Sequence, residues 1–151
     1  MEITILNRSS RRTTLTNTIE KAVRLLCEKF AGKYGLSSRT AVNVVLCDNS
    51  FIRELNREYR NTDKATDVLS FPMREGPDAQ LTPFELGDIV ISMEQARRQA
   101  VEEKWGLRQE MLLLVVHGFL HLLGYDDETY KEAQAMRALE RACLDDILSE
   151  I

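Results

Sequence analysis

Residues 111–128 read MLLLVVHGFLHLLGYDDE and predict the centre of the fold. From Met111 to Leu123 the stretch is apolar nearly all round, which predicts a buried helix over about residues 107–122. Gly124 follows as a natural helix stop, because glycine accepts the left-handed conformation that ends many helices. We therefore expect this helix to be central, with the other elements packed around it.

Both histidines of the chain lie in this stretch. His117 and His121 are four positions apart, so their side chains project from one helix face, about 5–6 Å apart at Cβ, and can reach one metal ion. The turn that follows can bring Asp127 back as a third ligand, in competition with Asp126 and Glu128. Two imidazoles, a carboxylate and an open position are typical of a catalytic metal centre. The alternative is a structural pair of histidines satisfied within the core.

The composition is that of an ordinary globular protein. The chain has 151 residues, 44% hydrophobic and 29% charged, which predicts one domain over residues 1–151. No apolar run approaches the roughly 20 residues of a membrane span, and the start, MEITILNR, favours a strand over a signal peptide. Cys27, Cys47 and Cys143 lie scattered in apolar patterns, which predicts reduced, mostly buried thiols in a cytoplasmic protein.

Charge is distributed unevenly along the chain. The net charge is −4, yet residues 1–70 hold 12 Lys/Arg and 8 Asp/Glu (+4), whereas residues 71–151 hold 8 and 16 (−8). Most of these charges are expected on solvated surface. A basic groove can nevertheless exist on an acidic protein, because binding depends on local potential more than on total charge.

The remaining patterns mix strands and helices without strict alternation. Strands are predicted at residues 2–6, 41–47, 68–71 and 86–92. Further helices are predicted over 14–32, from a cap at Asp48 or Ser50 to about Tyr59, over 93–103 after a capping box at Ser92 and Gln95, and after a capping box at Thr129 and Glu132. Residues 73–85 are predicted to form an exposed loop. The fold class is therefore α+β, a small mixed sheet packed against several helices.

The histidine spacing is similar to that of the metzincin zinc proteases. Those enzymes place Glu at +1, His at +4, Gly at +7 and His at +10 from the first His, and this chain has Gly118 at the first of these positions. The general base that ordinary zinc proteolysis needs beside the metal is therefore missing. We expect a different chemistry at this site.

The same residues also carry a wider family resemblance. HGFLHLLGYDD, residues 117–127, closely resembles the HGxLHLxGYDH signature of the YbeY-type endoribonucleases. Three further segments resemble family segments: LNREYR from Leu55, TDVLSFP from Thr66 and LGDIVIS from Leu86. Four ordered blocks are more specific than one metal motif. The resemblance is strongest over residues 50–125.

The resemblance implies a bacterial, metal-dependent endoribonuclease specific for single-stranded RNA. It implies roles in ribosomal RNA maturation, notably at the small-subunit 3′ end, and in ribosome quality control. The implied partners are rRNA precursors and the ribosomal small subunit. Binding to DNA or to a membrane is not expected. Two alternatives stay open: a ribosome-assembly binding protein with a mainly structural metal, and a metal-dependent hydrolase of another substrate, peptide included.

The third metal ligand departs from the family pattern, which usually has His where this chain has Asp127. Aspartate is a competent zinc ligand, although its negative charge should lower the pKa of a bound water less than a neutral ligand would. The implied cofactor is one divalent metal ion, with Zn²⁺ as the first choice, held by His117, His121 and Asp127. The oxygen ligand also suits manganese, iron or nickel.

Arg60 is the candidate phosphate ligand and, with His117 and His121, a candidate catalytic residue. It takes the arginine position of the family's NxxYR segment, and arginine offers two parallel hydrogen bonds to phosphate; a solvated helix-end arginine is the alternative. Arg57 and Lys64 would extend an RNA-binding track. We expect RNA to lie between the 56–72 segment and the histidine helix, with the metal activating water or the RNA's own 2′-hydroxyl.

Several other polar and aromatic residues are candidates for supporting roles. Thr66, Asp67 and Ser70 are expected to shape the loop and the strand edge. Asp88 is a candidate to hold a ligand imidazole by its second nitrogen. Phe119 and Tyr125 are expected to pack against neighbouring residues, with stacking on bases as the alternative.

Overall fold

The computed structural model describes residues 1–9, 17–73 and 83–150, which form four strands and five helices. In chain order they are β1 (Glu2–Asn7), α1 (Asn17–Lys33), β2 (Ala41–Cys47), α2 (Asn49–Arg60), β3 (Val68–Pro72), β4 (Glu85–Ser92), α3 (Met93–Glu103), α4 (Leu107–Leu122) and α5 (Tyr130–Leu148). The predicted α+β class is confirmed.

The strands form one mixed sheet in the order β1-β2-β4-β3. β1, β2 and β4 are parallel to one another, whereas β3 runs antiparallel to β4 and lies at the edge of the sheet. The apolar runs of β2 and β4 fit strands buried on both faces. Because β3 is an edge strand, one row of its backbone groups is available to side chains from outside the sheet.

Helix α4 lies at the centre of the molecule, as predicted. It packs against α1, α3 and α5 and against strands β3 and β4. Six of its side chains are completely shielded from solvent: Met111, Leu112, Val115, Val116, Phe119 and Leu120. The nearly all-round apolar sequence of α4 follows from this position, since neighbours cover every side except the one that carries the histidines.

Two glycines allow α4 to lie unusually close to the sheet. A Cβ on Gly118 would lie 2.6 Å from Cγ2 of Ile89 and 3.1 Å from Oγ of Ser70. At Gly87, where φ is +144°, a Cβ would lie 2.3 Å from the carbonyl oxygen of Phe71 and 2.8 Å from a methyl carbon of Leu122. The absence of a general base at Gly118 therefore has a packing cause, because no side chain fits there.

The opposite face of the sheet packs against α2. A second, smaller cluster of buried apolar residues forms there: Val45, Cys47, Ile52, Leu69 and Val90. Successive side chains of a strand point to opposite faces, so Val44 and Leu46 join the main core while Val45 and Cys47 join this cluster. Part of this face, toward β1, is left as an open groove.

The local signals agree with the structure in most places. Both hydrogen bonds of the capping box of Thr129 and Glu132 are formed. At Ser92 only one is formed, in which its hydroxyl accepts from the backbone N–H of Gln95, while the side chain of Gln95 instead accepts from Arg98. The three cysteines are free and buried, as predicted.

Two predicted elements extend beyond the described residues. They are the start of the first helix, at residues 14–16, and most of the 73–85 loop, at residues 74–82. Among the helices that the structure describes, none has the length and apolar character needed to cross a membrane.

Candidate metal centre

His117 and His121 lie one turn apart on the solvent-facing side of α4, near its C-terminal end. Their Nε2 atoms are 3.1 Å apart and their rings meet edge to face. The side chains are 28% and 24% exposed. The two nitrogens therefore face one another at the surface of an otherwise buried helix, which does not fit a pair of core histidines.

The turn after α4 brings a carboxylate to this pair. Gly124 has a φ of +100° and donates to the carbonyl of His121, while Tyr125 donates to the carbonyl of Leu120, so the helix ends in a Schellman-type turn. The chain reverses and places Oδ2 of Asp127 3.7 Å from Nε2 of both histidines.

Asp127 is the acidic residue of this turn that joins the two imidazoles. In the described part of the chain, the group of side chains arranged to hold a metal consists of His117, His121 and Asp127, without Asp126 or Glu128. The ligand set expected from the sequence is therefore brought together in space, with the third member 42% exposed.

The spacing and chemistry of these three atoms fit a divalent cation. Ligands about 2.1 Å from a tetrahedral zinc ion lie about 3.4 Å from one another, and the three separations here are 3.1, 3.7 and 3.7 Å. Three electron-rich atoms turned toward one point repel each other unless a cation or proton lies between them. The exposure of the site leaves room for a further, exchangeable ligand.

Glu140 holds the first histidine in position, a residue that the sequence reasoning missed. This glutamate of α5 is only 9% exposed, and its Oε1 contacts Nδ1 of His117 at short hydrogen-bonding range. A carboxylate at Nδ1 keeps the hydrogen on that nitrogen and leaves the lone pair of Nε2 directed at the metal position. The available signal was an acidic residue on the inner face of α5, between Met136 and Cys143.

The same contacts act on the pKa of His117. Burial lowers this pKa, but the hydrogen bond and the charge of Glu140, together with the charges of Asp127 and Asp67, outweigh the burial, so the pKa lies above its ordinary value. A cation that binds here must displace the proton from a histidine that holds it more firmly than usual.

The prediction that Asp88 holds a ligand imidazole is wrong. Ile89 of β4 points toward α4, so the neighbouring Asp88 points to the opposite face of the sheet, where its Oδ1 accepts a hydrogen bond of 2.9 Å from Asn43.

Arg60 lies in the wall of a cleft of about 430 Å³ that contains the two histidines and Asp127. It is the last residue of α2, and its Nη2 donates a 2.8 Å hydrogen bond to the carbonyl of Ser70 on the free edge of β3. Ser70 in turn donates through Oγ to the carbonyl of Gly118 on α4. Strand β3 thus connects the arginine to the helix that carries the histidines.

The other predicted phosphate ligands lie outside this cleft. Arg57 is exposed and has Glu54 3.5 Å away, and the residues that line the cleft include neither Arg57 nor Lys64. Asp67 accepts hydrogen bonds from the backbone of Val68 and from the side chain of Gln99, so it shapes the loop and strand edge as expected.

The two aromatic residues near the histidines take part in packing. Phe119 is fully buried against Phe30, with the ring centroids 4.8 Å apart, and Tyr125 meets Tyr34 edge to face. Tyr125 is nevertheless 39% exposed, so the packing role is confirmed for Phe119 and only in part for Tyr125, and neither residue lines the cleft.

An α+β domain whose cleft is lined by two imidazoles and one carboxylate, arranged so that they could hold a metal ion, has a donor set typical of hydrolases. Residues 4–148 match the family model described as Endoribonuclease YbeY. This chain belongs to the endoribonuclease YbeY family.

Relatives and a solved structure agree with this assignment. Endoribonuclease YbeY of Desulforamulus reducens is 42% identical over 134 residues, 87% of this chain and 85% of the relative. That of Syntrophomonas wolfei is 38% identical over 146 residues, 93% of each chain. A solution structure of a Thermotoga maritima protein matches with a TM-score of 0.62 and 28% identity, over 98% of this chain and 90% of the other.

Proposed function

We propose that this protein is a metal-dependent endoribonuclease that cleaves single-stranded RNA. The observation that carries the proposal is the convergence of His117, His121 and Asp127 within one cleft whose wall holds Arg60. A cation site and a phosphate-binding side chain in one cleft are the two groups that phosphodiester cleavage needs, because the developing negative charge must be stabilised and the phosphate must be held in line.

Each described side chain has a distinct role in this proposal. Arg60 binds a phosphate oxygen of the RNA by charge-assisted hydrogen bonds, and its bond to Ser70 fixes the position of the guanidinium. When bound, a divalent ion supplies Lewis-acid stabilisation of the charge that develops on the phosphoryl group. His117, His121 and Asp127 hold that ion, and Glu140 orients His117.

The charge of the cleft explains why RNA binding itself should require the cation. Among the described residues that line the cleft, three carboxylates (Asp67, Asp126 and Asp127) face the single guanidinium of Arg60, so the lining is net negative with neutral histidines. A divalent cation offsets this charge and allows a phosphate to approach. Arg57 and Lys64, outside the cleft, are proposed to extend the path of the RNA backbone.

The nucleophile is either water or the 2′-hydroxyl of the RNA, and the same residues serve both routes. Attack by the 2′-hydroxyl leaves a 2′,3′-cyclic phosphate, whereas attack by water leaves a phosphate on one fragment and a hydroxyl on the other. A substrate with one 2′-deoxy nucleotide at the cut distinguishes them, because only the first route is blocked.

We also propose the biological setting implied by the family resemblance. The substrate is then an rRNA precursor, notably the 3′ end of the small-subunit rRNA, with the ribosomal small subunit as partner. The free, buried cysteines support the cytoplasm as the setting. Ribosome quality control is a second use of the same single-strand cleavage. Single-stranded RNA with the 3′-end precursor sequence is therefore the first substrate to test.

The decisive experiment combines metal analysis with cleavage by the wild-type protein and His121→Ala. We expect the wild type to bind about one divalent ion per chain and to cut single-stranded RNA but not duplex RNA or DNA. Chelation and His121→Ala should both reduce cleavage to background while circular dichroism shows a folded protein.

Two outcomes would contradict the proposal. RNA affinity without metal-dependent cleavage in either protein would support a binding protein with a mainly structural metal. Turnover of a peptide instead of RNA would support another hydrolase, against the close packing that excludes a general base at Gly118.

A further inference from the structure

A groove on the opposite face of the sheet, which we call the sheet groove, presents an exposed aromatic residue beside the cleft. It has a volume of about 490 Å³ and is lined chiefly by Leu6, Arg8, Asn43, Tyr59, Phe71 and Asp88. Tyr59 is 62% exposed, and its ring meets Phe71 edge to face, with the centroids 5.5 Å apart. Phe71 thus supports the tyrosine ring and leaves most of it open to solvent.

The sheet groove and the cleft meet across the edge of β3. Side chains alternate along this strand, so Ser70 points toward α4 and the cleft while Phe71 points into the sheet groove. Arg60, in the cleft wall, has its guanidinium carbon 5.9 Å from the centre of the Phe71 ring. Tyr59 directly precedes Arg60 in the chain, at the C-terminal end of α2.

The chemistry of the sheet groove suits a nucleobase better than a phosphate. Its surface is more apolar than polar, with Leu6 and Phe71 beside Tyr59. Its two charged side chains among the described residues, Arg8 and Asp88, have opposite signs, so the groove offers a phosphate no net positive charge. Single-strand binding proteins combine a cation on the backbone with aromatic rings on which bases stack. Arg60 and Tyr59 are adjacent and offer these two contacts on either side of one strand edge.

We propose that Tyr59 and Phe71 form a base-stacking subsite for a nucleotide next to the phosphate held by Arg60. This subsite rests on the proposed function and adds the part of the substrate that it recognises, an unpaired base. A base in a duplex reaches such a ring only after it leaves its own stack and its pairing partner, a free-energy cost that an unpaired base does not have. The subsite therefore provides a physical reason for a preference for single strands.

The test uses the metal-loaded protein and a set of short single-stranded RNAs, each with one 2-aminopurine at a different position. This fluorescent base is quenched when it stacks, so stopped-flow mixing reports stacking before the strand is cut. We expect quenching at one position relative to the cut. Tyr59→Ala should abolish it and raise the half-saturating protein concentration roughly tenfold, the scale of one lost base–aromatic stack, whereas Tyr59→Phe should preserve both.

The matched control is Val101→Ala, which removes an exposed apolar side chain from α3 outside the sheet groove and should change neither readout. Unchanged quenching and half-saturation in Tyr59→Ala, with cleavage intact, would overturn the subsite and leave the proposed function standing. Position-specific quenching lost in Tyr59→Ala, but without any cleavage by the wild type, would support the subsite and overturn the proposed function. A wild type that shows neither quenching nor cleavage would overturn both.

Discussion

The two faces of the sheet are packed in different ways. On one face α4 lies so close that Gly118 has no room for a Cβ, and the candidate metal ligands project from this fixed helix and the turn after it. The other face has α2, a small apolar cluster and an open groove. Ligands that must share one cation need fixed positions, whereas bases of varying sequence need an adaptable surface. The predictions below test whether this division is real.

The largest expected effect is the loss of RNA cleavage when Arg60, which lies at the edge of the sheet between the two faces, is replaced. Arg60→Ala should lower the single-turnover rate of RNA cleavage by roughly a hundredfold or more, because one preorganised charged donor to the phosphate is lost. Arg60→Lys should recover only part of the rate, since lysine retains the charge without the paired hydrogen bonds. Arg53→Ala, an exposed arginine of α2 that pairs with Asp63, is the matched control and should cleave normally. Equal rates in all three variants would remove Arg60 from the active site.

The next effect concerns the affinity of the close-packed face for metal. Glu140→Ala should weaken Zn²⁺ binding by about 10- to 100-fold, the usual cost of removing a hydrogen-bond partner of a metal-binding histidine. Glu140→Gln should lose less, because the amide oxygen still accepts from Nδ1 of His117. Competition with a chromophoric chelator measures the affinity, and Asp145→Asn, an exposed position on α5, is the control. Wild-type affinity in Glu140→Ala would show that the contact does not orient His117.

A smaller effect tests how tightly α4 packs on the sheet. Gly118→Ala should lower the free energy of unfolding by about 1–3 kcal/mol, because the new methyl group overlaps Ile89. Gly32→Ala is the matched control, since nothing lies within 4 Å of that position in α1, and it should be neutral or stabilising by up to about 1 kcal/mol. Urea denaturation measures both. If Gly118→Ala proves as stable as Gly32→Ala, α4 can shift away from the sheet at little cost.

The smallest expected effect is a difference in the rate at which one buried cysteine on each face of the sheet is alkylated. Cys27 belongs to the main core and Cys47 to the smaller cluster. Burial raises the pKa of each to about 12, so neither thiol should react with iodoacetamide in the closed protein. Reaction then reports local opening, and in mild denaturant we expect Cys47 to be labelled several-fold faster than Cys27, as peptide mapping would measure. Equal rates would mean that both faces open as one unit.

The central helix and the candidate ligands were predictable because their signals are local. The apolar pattern of α4, the four-residue spacing of His117 and His121, and the stop at Gly124 all lie within a few turns of one helix. Helical geometry alone puts the two imidazoles on one face. The turn needs only one left-handed residue to bring Asp127 back, so the sequence contains nearly all the information for this cluster.

The supporting contacts were not predictable from local patterns, because they join distant parts of the chain. Glu140 is 23 residues from His117 and meets it only when α5 packs on α4. The error at Asp88 came from ignoring strand alternation, since Ile89 is the residue of that pair that faces α4. The sequence shows that Gly118 replaces the general base of the zinc proteases. It does not show that this glycine allows α4 to pack closely on the sheet, because the distance between the helix and the sheet cannot be read from the spacing of residues along the chain.

The contact between Glu140 and His117 would link the binding of a cation by the three-ligand cluster to the docking of α5. If the ion binds more tightly when Glu140 is in place, then α5 must dock more tightly when the ion is bound, by the same free energy. Residues 130–148, none of which belongs to the three-ligand cluster, would therefore exchange their amide hydrogens more slowly in the loaded protein. Helix α5 would then report on the occupancy of a site to which it contributes no ligand.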